Sequence, residues 1–389
     1  MSLPPLSLYV HFPWCVRKCP YCDFNSHTLH GELPQDVYID ALTRDLALQA
    51  GLVQGRVLQS IFLGGGTPSL FAPDALARLF EAVRAQCQLA AHIEITLEAN
   101  PGTIERGRFA DYRAAGVTRV SLGAQSFDDR QLQRLGRIHA ADDTRRAVEE
   151  LHAADLNNFN LDLMYGLPEQ TIAEAEADID AALALQPAHL SHYQLTMEPG
   201  TVFAAKPPPG LPDDESGADM QHACQQRLAQ AGFIQYEVSA YARNHRRCRH
   251  NLNYWEFGDY LGVGAGAHGK SSHFAAVANP SAALSIERSV RLREPRRYLA
   301  QLADMAAHLE LRPVPAADVP FEYLLNALRL NEGFDPTDYE ARTGLRFDAL
   351  ADRIERARGL GLIQHNGRRW RASARGFSFL NDLQAMFLP

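Results

Sequence analysis

Cys15, Cys19 and Cys22 put three thiols into one short loop with Cys-x3-Cys-x2-Cys spacing, and that is the densest piece of chemistry in the chain. Soft thiolates select zinc or iron–sulfur centres. Three are one short for either. His11, Asp23 or His27 could complete a zinc site. Alternatively, a [4Fe–4S] cube held by three cysteines leaves one iron open for an external chelating ligand.

A second constellation stands far along the chain at His250-Asn251-Leu252-Asn253-Tyr254-Trp255, preceded by Arg243, Arg246, Arg247, Cys248 and Arg249. It combines an imidazole for axial ligation, aromatic faces for a macrocycle and guanidinium groups for propionates, so it suits heme. Read conservatively, His250 bonds a loop, Trp255 fills core and the arginines are solvated. Cys248 is a further possible iron ligand. Gly264-Ala265-Gly266-Ala267-His268-Gly269 satisfies a dinucleotide fingerprint on paper, but no helical pattern follows it at 270–278. It reads as a turn, with His268 a candidate polar contact. Cys87 and Cys224 sit in partly apolar helical surroundings and read as buried thiols.

The elements that must position these groups are legible in the hydrophobic pattern. Short β-branched runs at 6–11, 57–63, 92–97, 117–122, 159–164 and 189–195 alternate with amphipathic helical stretches such as 34–50 and 73–85. That is a βα repeat with parallel strands. His11 with the cysteines, the Gly64-Gly65-Gly66-Thr67-Pro68 turn, Glu98, Gln125 and Asp162 all fall at or just beyond strand C-termini. Barrels distribute a site over many strand ends, whereas an open dinucleotide sheet concentrates it at one switch point. The expectation is a partial (β/α)6 TIM-type barrel over 1–235, a connecting segment with the His250 motif over 236–310, and a small helical, winged-helix-like unit over 311–389.

Composition narrows the function classes. In 389 residues, Lys+Arg total 38 against 46 Asp+Glu, a net charge of −8, which disfavours a nucleic-acid partner. Six cysteines are too few and too uneven for a disulfide framework. No run approaches the roughly 18 apolar residues of a membrane span, and the first residues carry no leader pattern. A cytoplasmic protein, meeting membranes only peripherally through its partners, is expected.

The cysteine loop, with the aromatic Tyr21 immediately before Cys22, resembles that of the radical S-adenosylmethionine (SAM) superfamily. The resemblance implies a [4Fe–4S] cluster on Cys15, Cys19 and Cys22 whose open iron binds SAM, and reductive cleavage of SAM to a 5′-deoxyadenosyl radical. It further implies SAM contacts from Tyr9, Tyr21, Gly65, Gly66, Thr67, Glu98, Gln125, Arg137 and Asp162. The wording Tyr9-Val10-His11-Phe12-Pro13-Trp14-Cys15 and Cys19-Pro20-Tyr21-Cys22-Asp23-Phe24 is similar, nearly end to end, to oxygen-independent coproporphyrinogen III dehydrogenases and to the related heme-chaperone family. The dehydrogenases have a fourth cysteine where this chain has Phe24, and the chaperones carry the HNxxYW motif found here. The chaperone resemblance therefore implies heme on His250, Tyr254 and Trp255, acceptor hemoproteins such as respiratory-chain components, an electron donor it does not name, and a homodimer. Cluster and heme are expected to occupy separable sites. The competing expectation is an enzyme that decarboxylates two propionates of coproporphyrinogen III.

Overall fold

A computed structural model describes residues 2–103, 108–274, 284–301, 304–305 and 309–389. The βα repeat forms six strands: β1 (Leu6–Phe12), β2 (Leu58–Gly65), β3 (Leu89–Ala99), β4 (Arg119–Gln125), β5 (Phe159–Tyr165) and β6 (His189–Gln194). All six pair in parallel in chain order. Such strands are covered on both faces, so they read as apolar runs rather than alternating ones; in β1, only Tyr9 is less than fully buried. Leu8 and Val10 have no exposed surface, and truncating either to Ala would cost roughly 2–5 kcal/mol.

The helices follow the same logic. Gln35–Leu48 buries Tyr38, Ile39, Leu42 and Leu46 at three- and four-residue spacing. Pro73 starts the next helix, Pro73–Gln86, at a position whose N–H has no helical partner. Thr171 and Glu174 form a reciprocal capping box on Ile172–Ala184.

The segment over 236–310 is woven into the barrel sheet. It supplies β8 (Ala240–Ala242), β9 (Asp259–Val263), β10 (His268–Phe274) and β11 (Leu284–Val290), while β7 (Ile234–Glu237) straddles its start and β12 (Glu310–Pro313) its end. The resulting twelve-stranded sheet runs β12-β11-β10-β9-β1-β2-β3-β4-β5-β6-β8-β7. Strand β9 lies parallel to β1, and the outer pairs are antiparallel. The sheet does not close, so the barrel is partial and opens along one side. The strand His268–Phe274 confirms that the glycine-rich turn leads into no helix; residues 275–278 of that expectation lie outside the described residues.

The C-terminal unit comprises helices Val319–Ala327, Pro336–Thr343 and Ala351–Gly359, the hairpin Ile363–Asn366/Arg369–Ala372 and two short closing helices. Its core of Tyr323, Leu324, Leu328, Phe334 and Tyr339 takes in Phe257 and Ile286 from the sheet region. Arg288–Glu322 at 2.6 Å and Arg329–Glu237 at 3.1 Å reinforce the contact. Among the described residues, no helix is long and apolar enough to cross a membrane.

Candidate cluster, SAM and heme site

The cysteine loop leaves the end of β1 and is stapled shut at its base. Trp14 and Cys15 pair with His27 and Thr28 as a two-residue parallel ladder, and Leu29 N–H donates to Cys15 O at 2.8 Å. Asn25 Nδ2 anchors the far side to Ala265 O (2.9 Å) and Arg293 O (2.8 Å). The GAGAHG turn therefore acts as a backbone platform for the loop.

Each thiol has its own polar neighbour. Thr67 Oγ1 donates to Cys15 Sγ at 3.5 Å, Arg137 Nη1 to Cys19 Sγ at 3.6 Å, and Ser26 Oγ lies 3.5 Å from Cys22 Sγ. All three cysteines line one large cavity of about 1120 Å³. Among the described residues, no three His, Cys, Asp or Glu side chains converge on a single ion. The zinc alternative loses its completing ligands as well. His11 Nε2 donates to Asn25 O at 2.9 Å, His27 Nε2 is 3.3 Å from Asn25 Oδ1, and Asp23 is exposed. A cube spreads its thiolates over separate iron atoms, which suits three cysteines each held by its own donor.

The expected SAM residues gather beside them. Gly65 has φ 110°, and a Cβ there would stand 2.4 Å from the His11 ring; one on Gly66 would stand 2.5 Å from Trp14 O. Only glycine lets this turn lie against the cluster loop, where Gly66 N–H donates to Phe12 O at 2.6 Å. Glu98 Oε2 accepts from Gly65 N at 3.0 Å. Burial, with Asp162 nearby, lifts the Glu98 carboxyl to about 8. Asp162 accepts from Ser121 Oγ at 3.1 Å and Asn160 Nδ2 at 2.8 Å, and burial raises it too. Gln125 ends β4 in the left-handed region at φ 69°. Arg137 also donates Nη2 to Gly123 O at 2.8 Å and keeps a buried Nε without a partner. Tyr9, donating to His11 Nδ1 at 2.9 Å, and Tyr21, packed on Phe203, complete the lining. Glycine cradle, paired carboxylates and unsatisfied guanidinium fit a cationic, hydroxylated ligand with its own carboxylate.

The HNxxYW motif is the short helix Arg249–Trp255, and it opens onto the cluster's own cavity rather than onto a second one. His250, Tyr254 and Trp255 line the same cavity as the cysteines. The His250 ring is wedged against Phe62, at 5.0 Å between centroids, and Tyr9, at 6.3 Å. Desolvation lowers its pKa to about 3, so the imidazole is neutral. The expectation for the four arginines is corrected. Arg247 pairs with Glu332 at 2.6 Å, Arg243 stacks on Phe233 and Arg249 Nη1 donates to His92 O, and none of the four lines the cavity. Arg17, Arg119, Arg137 and Arg293 do. Cys248 is buried, and desolvation raises its thiol to about 12, which weakens it as a thiolate ligand. Cys87 and Cys224 are buried thiols as expected, and His268 is an exposed residue on the cavity lining.

Sequence reasoning missed what holds the motif helix. Glu94, buried on β3, accepts at Oε1 from Arg249 N (2.8 Å) and His250 N (3.3 Å), capping the helix from another strand. Inward-facing polar residues on consecutive strands, Ser60, Glu94, Arg119 and Asn160, were the available signal, because buried polar groups require partners.

Residues 9–182 match the model of the Radical SAM superfamily, and residues 314–379 that of the HemN C-terminal domain. The chain is 47% identical over 389 residues to the heme chaperone HemW of Escherichia coli, covering 100% of this chain and 99% of that one. It is 47% identical over 394 residues to HemW of Haemophilus influenzae, at 100% and 99% coverage. Against the mitochondrial radical S-adenosyl methionine domain-containing protein 1 of Bos taurus, identity is 36% over 392 residues, with 97% and 86% covered. Among solved structures, coproporphyrinogen III oxidase (HemN) from E. coli superposes with a TM-score of 0.80 at 24% identity, over 99% of this chain and 90% of that one, and so shares the fold. Fold and cysteine loop thus define a radical SAM protein, with a [4Fe–4S] cluster and SAM as the cofactors the family implies. Within that superfamily the chain belongs to the HemW heme-chaperone family.

Proposed function

We propose that this chain binds one heme through His250 and passes it to acceptor hemoproteins, respiratory-chain components among them. The observation that carries the reading is the tautomer of His250. The Ser60 hydroxyl donates to Ser7 Oγ at 2.8 Å, so toward His250 Nδ1, 3.1 Å away, it accepts. Nδ1 therefore carries the proton and Nε2 keeps its lone pair, as an iron ligand requires. Tyr254 and Trp255 offer aromatic faces beside it.

The cluster loop and SAM residues share this cavity, so cofactor and cargo are neighbours; the cluster supplies one-electron chemistry when present. Delivery at a membrane surface and a dimeric assembly accompany the reading as proposals. Phe24, in place of the dehydrogenases' extra cysteine, argues against coproporphyrinogen decarboxylation.

Anaerobic heme titration of wild type, His250→Ala and Cys248→Ser tests the assignment. His250→Ala is expected to weaken binding at least about tenfold, on the scale of losing one ligand-orienting contact, and to shift the Soret band, with Cys248→Ser close to wild type. The reverse order would transfer the ligand to Cys248, and no change in either variant would overturn the site.

A further inference from the structure

A continuous chain of hydrogen bonds runs along the cavity wall from Asp162 to the start of the heme-motif helix. Cys248 N–H donates to Tyr236 Oη at 3.3 Å, and Tyr236 Oη lies 2.8 Å from His189 Nε2. His189 Nδ1 lies 2.7 Å from Asn160 Oδ1, and Asn160 Nδ2 donates to Asp162 Oδ1 at 2.8 Å. Tyr236, His189, Asn160 and Cys248 are each at most 3% exposed. Water therefore does not compete for these bonds.

The direction of every bond follows from the Asp162 end. A carboxylate only accepts, so the Asn160 amide nitrogen must face it and the Asn160 oxygen must face His189. His189 Nδ1 then carries the proton, Nε2 accepts, and Tyr236 must spend its hydroxyl proton on Nε2. The Tyr236 oxygen is left to accept Cys248 N–H, an unpaired amide at the helix start. All dipoles point toward Asp162, and bonds aligned in one sense polarise and strengthen one another. A neutral Asp162 could donate instead, which would allow Asn160 to turn over and the His189 tautomer to switch. The chain thus has two polarities, selected by the carboxylate: in the reverse one Tyr236 Oη must accept from both His189 Nε2 and Cys248 N–H while its own proton loses its acceptor, which weakens the hold on Cys248.

We propose that Tyr236 and His189 are positioning residues that couple SAM occupancy at Asp162 to heme binding at His250. The inference rests on reading His250 as the heme ligand. A SAM molecule donating to Asp162 holds it as an acceptor, keeps the chain in the polarity that fixes Cys248, and so holds the helix that presents His250 for iron. SAM then tightens heme, and by linkage heme tightens SAM by the same factor.

The test measures heme affinity from the Soret change, on cluster-loaded protein, with and without saturating SAM. Wild type is expected to bind heme about fivefold tighter with SAM, at the lower end of ordinary coupling. In Tyr236→Phe, which deletes one oxygen, the ratio is expected to fall to within about twofold of unity. His189→Gln breaks the same chain and serves as the second variant should Tyr236→Phe lose its cluster absorbance or unfold early. Ser60→Ala disturbs His250 from outside the chain; it is expected to weaken heme and keep the wild-type ratio, an outcome that a merely structural role for Tyr236 would not separate. No saturable Soret change in wild type would overturn the heme-ligand reading. Saturable binding with a ratio of unity in wild type, an undiminished ratio in the chain variants, or a ratio lost equally in Ser60→Ala would overturn the coupling alone.

Discussion

Arg137→Met should make the cluster harder to reduce. The guanidinium stands 3.6 Å from Cys19 Sγ, holds Gly123 O with its other nitrogen and is tied to no carboxylate by an ion pair among the described residues. Reduction adds one negative charge to the cluster, so a cation donating to a ligand sulfur favours the reduced state. A full charge at that distance in a medium of effective dielectric near 20 would interact by about 5 kcal/mol, but the added electron is spread over the whole cube. A charge-assisted hydrogen bond contributes roughly 1.5–3 kcal/mol, which for one electron is about 65–130 mV. Methionine keeps much of the side-chain length and apolar volume without the charge. An anaerobic redox titration of the reconstituted protein, following the visible absorbance, should show the midpoint falling by that order, with Arg137→Lys between the two. A midpoint within about 20 mV of wild type, well below the range expected for a charged hydrogen bond, would show that Arg137 does not serve the cluster.

Three further outcomes follow from the same site. Gly66→Ala forces a methyl between Trp14 O and Phe12 O, at 2.5 and 2.8 Å; overpacking of about 1–3 kcal/mol should weaken SAM binding about 5- to 150-fold in equilibrium dialysis, and unchanged affinity would refute the close approach. The Glu98 carboxyl, at about 8 against an ordinary 4.5, is still protonated in the folded protein where the unfolded chain has lost the proton. Its contribution therefore makes stability fall as pH rises between those values. SAM, a cation, should bind tighter as pH rises towards 8, by up to about tenfold per unit; a Glu98→Gln variant whose pH profile is as steep as wild type would contradict the assignment. Cys19→Ala should abolish the cluster's absorbance yet retain heme binding, because His250 is held by Ser60, Phe62 and Glu94 rather than by the cluster loop. Loss of both signals would make loop and heme site one folding unit.

The parallel repeat was legible because strands buried on both faces and amphipathic helices write their periods directly into sequence; Pro73 even marks a helix start. The cysteine loop and the glycine turn were legible for a related reason, since local spacing and backbone demands leave few alternatives. Strands β8 to β11 were not. β8 is only three residues long, β10 (HGKSSHF) and β11 (LSIERSV) lack the apolar runs of the parallel strands, and β9 joins β1 from far along the chain, so no local pattern distinguishes them from a connection. The merging of heme motif and SAM cavity was equally hidden. It depends on β9 joining β1 in parallel, which swings Arg249–Trp255 over the barrel interior and turns the arginine-rich segment away from it. The buried partners of that helix, Glu94, Tyr236 and Ser60, lie on three other strands and become related only through tertiary contact.

In the proposed function a neutral His250, its Nδ1 proton held by Ser60, presents Nε2 to heme iron inside the cavity that the cluster cysteines also line. The decisive experiment is an anaerobic titration of cluster-loaded wild type and His250→Ala with heme. A saturable, one-to-one Soret change in wild type that weakens and shifts in the variant is the expected result. An identical spectrum and affinity in the two proteins would contradict it.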